Sequence, residues 1–269
     1  MKISIITPNY NYSKYLPDIF ESIINQNYDD WEHVIVDDGS TDNSVEIIKE
    51  YQKKNKRIRL IIQENQGQTP ALNKALKNTT GDIICWINSD DWYNEGVFKK
   101  ITDIFNDSSE LEIIYGDGFF YKVNEDKTII RKQLPFNYKM FAFNGFCNSV
   151  MSNTVFWKKK ICEETGLFDE TLNYNMDGEF FARLFWNRKI KYINFPIAYF
   201  RWHDEAKTIK NRGDFRTQKY FKELATEFNY SINKIESVKN KKIKYPDLIR
   251  KIYKGKRILL RFFYGHYFK

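Results

Sequence analysis

Cysteine is scarce in this chain: Cys85, Cys147 and Cys162 are odd in number and widely spaced. Each is embedded in apolar or aromatic surroundings, which resembles neither a zinc ligand set nor a disulfide framework and leaves three free thiols. No apolar run approaches the ~20 residues of a membrane-spanning helix. Met1-Lys2 leads straight into a strand pattern without a secretion leader, so a cytosolic location is expected. Glycine-rich phosphate loops are missing as well. Neither Gly-x-Gly-x-x-Gly nor Gly-Lys-Ser/Thr follows the first strand. Gly-x-Ser-x-Gly and His-Glu-x-x-His are also absent. There is no internal repeat and no low-complexity linker.

What is present describes a soluble globular protein. Its 269 residues are 42% hydrophobic and 29% charged, enough for one large domain with appendages. Aromatic residues make up 17%, and much of that content falls after residue 115, where most will be core and a few could stack on sugar rings. The net charge of +8 is uneven: from Lys239 onward eleven Lys and Arg face a single carboxylate, Asp247. The basic surface is therefore a tail rather than the fold, which argues against a nucleic-acid partner.

The first part of the chain alternates between strand and helix patterns. Strands are predicted at 3–7, 33–37, 58–62, 83–87 and 112–115. Between them Leu16, Ile19, Phe20 and Ile23, then Val45, Ile48 and Tyr51, then Ala71, Leu72, Ala75 and Leu76, then Val97, Phe98, Ile101 and Phe105 recur at helical spacing. Such alternation predicts right-handed βαβ units and a largely parallel sheet. After Gly116 the pattern loosens. A hairpin is expected across Asn124–Asp126, a loop-like aromatic stretch over 136–146, a helix over 177–188, short extended runs at 190–195 and 197–200, and a helix over 215–228.

Two acidic pairs stand out because each follows an apolar strand. Asp37-Asp38 opens into Gly39-Ser40-Thr41-Asp42, and Asp90-Asp91 ends Trp86-Ile87-Asn88-Ser89. Either pair alone reads as ordinary turn residues. Ligands of open α/β sheets, however, bind outside the carboxyl ends of the strands, and two acidic pairs on that edge repel each other unless a cation or a hydrogen-bonding ligand separates them. A metal on acidic side chains would substitute for the missing glycine loop in holding a phosphorylated ligand.

The order of these motifs resembles that of family 2 inverting glycosyltransferases, which have the GT-A fold. The resemblance is carried by Thr7-Pro8-Asn9-Tyr10-Asn11, Val36–Asp42, Asn65-Gln66-Gly67 with Ala71-Leu72-Asn73, and Asn88–Asp91. Gly166–Glu170, Met176–Glu179 with Arg183-Leu184, and Arg201-Trp202-His203 with Lys207-Thr208 continue it, so that it spans roughly residues 1–210. It implies an α/β, Rossmann-like GT-A sheet flanked by helices, mostly parallel, with a smaller acceptor-side region and a basic helical C-terminal tail. It further implies metal-dependent transfer of a single sugar from a nucleotide diphosphate sugar, most simply a UDP-sugar, to a hydroxyl of a glycan or lipid-linked saccharide.

By the same resemblance Pro8, Tyr10 and Asn11 line the base pocket, and Asp38 accepts a hydrogen bond from the base or ribose. Asn73, Asp90 and Arg201 join them on the nucleotide sugar. Asp90, Asp91 and His203 are the metal residues for Mn²⁺ or Mg²⁺. One of the two aspartates is the direct ligand and the other meets the ribose or the metal through water, and Asn88 stands where many members carry a first Asp. Asp177 matches the catalytic base, whose carboxylate takes the acceptor's proton on the face opposite the leaving diphosphate. The competing reading makes Asp177 a helix cap. Glu179 is expected to orient the acceptor or to be a solvated first-turn carboxylate, and His203 to be either a packed residue or a ligand. Arg201-Trp202 resembles part of a processive-synthase motif, but Ala198 replaces its Gln.

The resemblance divides the chain into a nucleotide-sugar half over 1–117, an acceptor and catalytic-base half over 118–228, and a tail over 229–269. Leu248, Ile252, Leu259, Phe262 and Phe263, interleaved with basic residues, make that tail a basic amphipathic helix. It would either dock on an anionic membrane, giving a peripheral location on the inner face, or pack on the domain. Two other functions remain to be weighed: a non-catalytic sugar-nucleotide or glycan-binding module, and a sugar nucleotidyltransferase. The latter lacks its glycine-rich basic loop here.

Overall fold

The computed structural model describes residues 1–136 and 150–206, with residues 226, 227 and 230. Cys147, most of the 136–146 stretch, Lys207-Thr208, nearly all of the helix expected over 215–228 and the basic tail lie outside the described residues.

Among the described residues nine strands form one sheet: β1 (Ile3–Asn9), β2 (Trp31–Asp37), β3 (Ile58–Ile62), β4 (Ile83–Trp86), β5 (Trp92–Tyr93), β6 (Ile113–Lys122), β7 (Lys127–Arg131), β8 (Val155–Lys158) and β9 (Ile190–Trp202). The helices are α1 (Leu16–Ile24), α2 (Ser44–Lys54), α3 (Gln68–Lys77), α4 (Val97–Asn106), α5 (Cys162–Thr165) and α6 (Met176–Leu184). Pro17 sits in the first turn of α1, where its missing N–H costs no hydrogen bond.

The strand order is β3-β2-β1-β4-β8-β6-β9-β5, with β7 hydrogen-bonded to β6. Strands β3, β2, β1 and β4 are parallel, as the alternating pattern predicts. Their register sets Asn9 beside Asp37 and Asp37 beside Ile62, so the loops that follow them emerge on one edge. Both faces of this block are covered. Ile6, Val34, Trp86 and Trp157 pack with α3 and α6, whereas Ile5, Ile35, Cys85 and Phe156 pack with α1, α2 and α4. Two covered faces explain why these strands read as continuous apolar runs.

The other half adds antiparallel strands to this parallel block. β8 lies antiparallel between β4 and β6, so the sheet is mixed. Its Val155, Phe156 and Trp157 are all buried and serve both cores in turn. The strand expected at 112–115 and the first arm of the hairpin are one ten-residue strand, β6, which also crosses the boundary placed at residue 117. Its hairpin with β7 forms as expected. The two short runs after residue 190 merge into β9, which pairs in parallel with β6 through a bulge. Pro196 lies at that irregularity, and Gly116 opposite makes room for it, since a Cβ there would sit 2.6 Å from the Phe195 carbonyl oxygen. The helix expected over 177–188 ends at Leu184.

Candidate functional site

At the carboxyl edge of β1 and β2 the loops 9–13 and 37–44 are hydrogen-bonded into one unit. Asp37 accepts from Asn9 Nδ2 at 2.8 Å, from Ser40 N at 2.9 Å and from Ser40 Oγ at 2.7 Å. Asn11, in the left-handed region, accepts from the Thr41 and Asp42 N–H groups, and Asp42 in turn accepts from the Ser13 N–H. Pro8 is buried and takes the Ser89 hydroxyl on its carbonyl at 2.8 Å. Tyr10 is 44% exposed, so its ring is open at this edge.

Asp38 and Asn73, both expected on the nucleotide sugar, also hold neighbouring segments of the chain. The buried Asp38 carboxylate accepts from Gln63 Nε2 at 2.7 Å, Gln66 N at 2.9 Å and Gly67 N at 2.8 Å, which clamps the entry to α3. Asn73 donates to the Phe168 carbonyl at 3.0 Å and to Glu170 at 2.7 Å, and accepts from Phe168 N at 2.8 Å. Through both amide atoms Asn73 braces the 168–170 segment.

The turn after β4 separates the second acidic pair. Asn88 Oδ1 accepts from Gln68 Nε2 at 3.1 Å and Trp86 Nε1 at 3.0 Å. Asp91 turns inward at 2% exposure, accepting from Asn153 Nδ2 at 3.0 Å and the Arg201 N–H at 2.9 Å. Burial, reinforced by the charge of Asp90, pushes the Asp91 carboxyl well above the usual range. Both of its oxygens hold protein donors, one each.

Asp90 faces the other way. Its Oδ2 lies 3.1 Å from His203 Nε2, while His203 Nδ1 lies 3.0 Å from Tyr15 Oη. The rings of Tyr12 and Tyr15 flank the buried imidazole at 5.9 and 4.6 Å. Burial and then the Asp90 charge raise the Tyr12 phenol above its ordinary value. Arg201 is also committed. Its guanidinium lies 4.4 Å from the Trp92 ring centre and 4.8 Å from that of Tyr15, its Nε donates to the Asp90 carbonyl at 2.8 Å, and Nη2 pairs with Asp18. Arg201, expected on the nucleotide sugar, thus also holds the 90–91 turn.

The pair Asp90–His203 fits a divalent cation. Two ligands at right angles on a metal with bonds of ~2.1 Å stand ~3.0 Å apart, close to the separation seen. With the ring proton on Nδ1 toward Tyr15, Nε2 presents a lone pair beside Asp90. Among the described residues no group of three or more His, Cys, Asp or Glu forms a ready cation site. A cation here would take its remaining ligands from phosphate oxygens and water, as Mg²⁺ ordinarily does.

Asp177 stands in the first turn of α6, partly buried, and its Oδ1 accepts from the Gly178 N–H at 2.7 Å. The capping position belongs to Asn175, so Asp177 is not the residue that caps the helix. Two contacts tie this turn to the acidic edge: Thr69 Oγ1 donates to Met176 Sδ at 2.7 Å, and the adjacent Gln68 holds Asn88. Glu179 is not the solvated first-turn carboxylate that one of its two expectations described. At 0% exposure it grips Arg183 through two hydrogen bonds of 2.6 and 2.7 Å, and Arg183 holds the Leu167 carbonyl at 2.7 Å.

Sequence reasoning missed Tyr15, Gln68 and Asn153, which orient His203, Asn88 and Asp91 respectively. Their only signal was proximity to motif residues, and Asn153 lacked even that.

Comparison with known proteins matches residues 4–164 to the family described as Glycosyl transferase family 2. Asp177, Arg201 and His203 lie beyond the matched segment. The glycosyltransferase GlyA of Streptococcus pneumoniae is 39% identical over 145 residues, 48% of this chain and 21% of GlyA, so the chain spans about a fifth of that relative's length. The crystal structure of S. aureus TarS 1-349 in complex with UDP-GlcNAc superposes with a TM-score of 0.62 at 22% identity, covering 78% of this chain and 61% of the other. The mannosyltransferase PcManGT from Pyrobaculum calidifontis, in complex with GDP-Man and Mn²⁺, superposes with a TM-score of 0.59 at 15% identity over 95% of this chain and 68% of its own. Those likenesses establish the GT-A type of fold. This chain belongs to glycosyl transferase family 2.

Proposed function

We propose that the chain is a metal-dependent, inverting glycosyltransferase that moves one sugar from a UDP-sugar to a hydroxyl of a glycan or lipid-linked saccharide. The observation that carries this reading is the Asp90–His203 pair at 3.1 Å on the sheet edge where Tyr10 is open, with the Asp177 turn linked to it through Gln68 and Thr69. The nucleotide sugars bound by TarS and PcManGT, and the Mn²⁺ in the latter, support the same chemistry.

In this mechanism Asp177 accepts the proton of the attacking hydroxyl. The displacement would invert the anomeric centre, the hydroxyl oxygen bonding to the anomeric carbon on the face opposite the breaking bond to the diphosphate. Tyr10 offers a stacking face to the base. Arg201 and Asp91 keep Asp90 turned toward His203. Asp90 and His203 would hold Mn²⁺ or Mg²⁺, which would supply Lewis acidity for the leaving diphosphate.

Calorimetry with UDP plus Mn²⁺, repeated in EDTA, tests the metal, because bare diphosphate is repelled by the acidic edge. Binding is expected only with the cation, and equal affinity in both solutions would defeat the metal reading. A peripheral location on the cytoplasmic face of a membrane belongs to the same proposal, supported by the eleven basic residues of 239–269. Sedimentation with anionic liposomes should then pellet the full chain but not a chain ending near Ser237, and equal pelleting removes that location.

A further inference from the structure

We infer that Glu227 is a positioning residue for the acceptor side of the site, holding the turn from which α6 and Asp177 start. Its catalytic consequence rests on the assignment of Asp177 as base. Glu227 lies 52 to 54 positions beyond that turn, yet its carboxylate accepts three successive backbone hydrogen bonds there. Oε1 takes the N–H of Asn173 at 3.0 Å, and Oε2 takes those of Tyr174 and Asn175, each at 2.9 Å. Nearby in sequence, Tyr230 Oη donates to Asp169 Oδ2 at 2.9 Å.

These contacts fall on the segment that joins two fixed points. At one end Phe168 is bonded to Asn73 and its ring stacks on Phe180 at 3.8 Å. At the other, α6 begins without a cap from the Asn175 side chain. N–H groups at a helix entrance have no partner within the helix. A carboxylate there forms charge-assisted hydrogen bonds and meets the positive end of the helix dipole. Glu227 supplies that carboxylate from outside the element. Asp177 follows Asn175 by two residues, so release of the turn displaces the base directly, and a shift of ~1 Å in a reacting group costs on the order of 100-fold in rate.

The test uses the full chain carrying Glu227→Ala, Glu227→Gln and Tyr230→Phe. Amide hydrogen exchange over 173–182, UDP–Mn²⁺ calorimetry, and UDP release from the UDP-sugar turned over fastest by the parent chain are measured in each. Glu227→Ala is expected to speed exchange at 173–175 and lower kcat by ~10–100-fold while leaving UDP affinity and donor KM unchanged. Glu227→Gln, which keeps the shape and an acceptor oxygen, should rescue part of kcat, and Tyr230→Phe should shift exchange in the same direction by less. If Glu227→Ala does not fold, the other two variants carry the comparison. Unchanged exchange at 173–175 overturns the anchor whatever Asp177→Asn does. Full turnover by Asp177→Asn overturns the base assignment whatever the exchange shows.

Discussion

At the scale of single residues, two carboxylates in one motif have opposite fates. Asp90 meets a histidine at the edge of the sheet, while Asp91 is buried on Asn153 and Arg201. The acidic pairs were legible because each ends an apolar run. Which member faces a ligand was not legible, since that depends on partners as distant as residue 153, and no local pattern encodes them. Asp38 and Asn73 carry the same lesson: their side chains are occupied by Gln63, Gly67, Phe168 and Glu170. Asp177 differs, being partly buried on the first turn of a helix whose cap is another residue. Asp177→Asn is expected to fold, to bind UDP as the parent does, and to lose transfer by ~10²–10⁴-fold, the usual span for a general base. Steady-state UDP release together with calorimetry checks this, and near-parent turnover would place the base elsewhere. Glu179 is a poor substitute because its carboxylate is buried and held by Arg183. A product of retained anomeric configuration would remove direct displacement altogether.

At the scale of elements, hydrophobic periodicity located the helices α1 to α4 and the parallel strands, since each presents a regular apolar face to one of two cores. β8 escaped because four consecutive buried residues, Val155–Lys158, carry neither a period of two nor one of 3.6. Its insertion adds antiparallel pairs between the parallel block and β6. The loop after β2 shows how closely an element can depend on one residue. Gly39 has φ +75°, and a Cβ there would lie 2.9 Å from the backbone nitrogen of Asn65, an atom that cannot swing aside as a side chain would. Gly39→Ala is accordingly expected to destabilise the fold by ~1–3 kcal/mol through strain at a left-handed position. It should also weaken UDP binding, because the same loop bonds to Asn11. Urea unfolding followed by calorimetry reads both effects, and an unchanged midpoint would mean that the loop relaxes without strain.

At the scale of the whole molecule, acid is the condition this fold is least built to withstand. His33 sits in the middle of β2 at 0% exposure, with Nε2 2.9 Å from Thr7 Oγ1 and the Phe20 ring centre 5.5 Å away. Its Nδ1 is buried without a hydrogen-bond partner among the described residues. Burial pushes the imidazole from its ordinary 6.5 down to about 3. Above the ordinary value the ring is neutral in both folded and unfolded chains and costs nothing. Below it the unfolded chain gains a proton that the folded one refuses until about 3, so stability falls across that window by up to ~1.4 kcal/mol per pH unit. Glu32, one residue earlier, adds to the loss. Burial raises its carboxyl, but hydrogen bonds from Ser4, Thr80 and Arg59 outweigh burial and bring it to about 2, so its contribution disappears as pH falls from 4.5 toward that value. The two windows are separable. Urea unfolding between pH 7 and pH 5 should show a midpoint that declines with acid in the parent chain. In His33→Gln, which has no titrating ring, the decline over that range should be much shallower, even though the variant starts less stable at pH 7. Parallel slopes in the two proteins would show that His33 is protonated within the fold, and the interior of β2 would then have to contain a charge that nothing around it solvates.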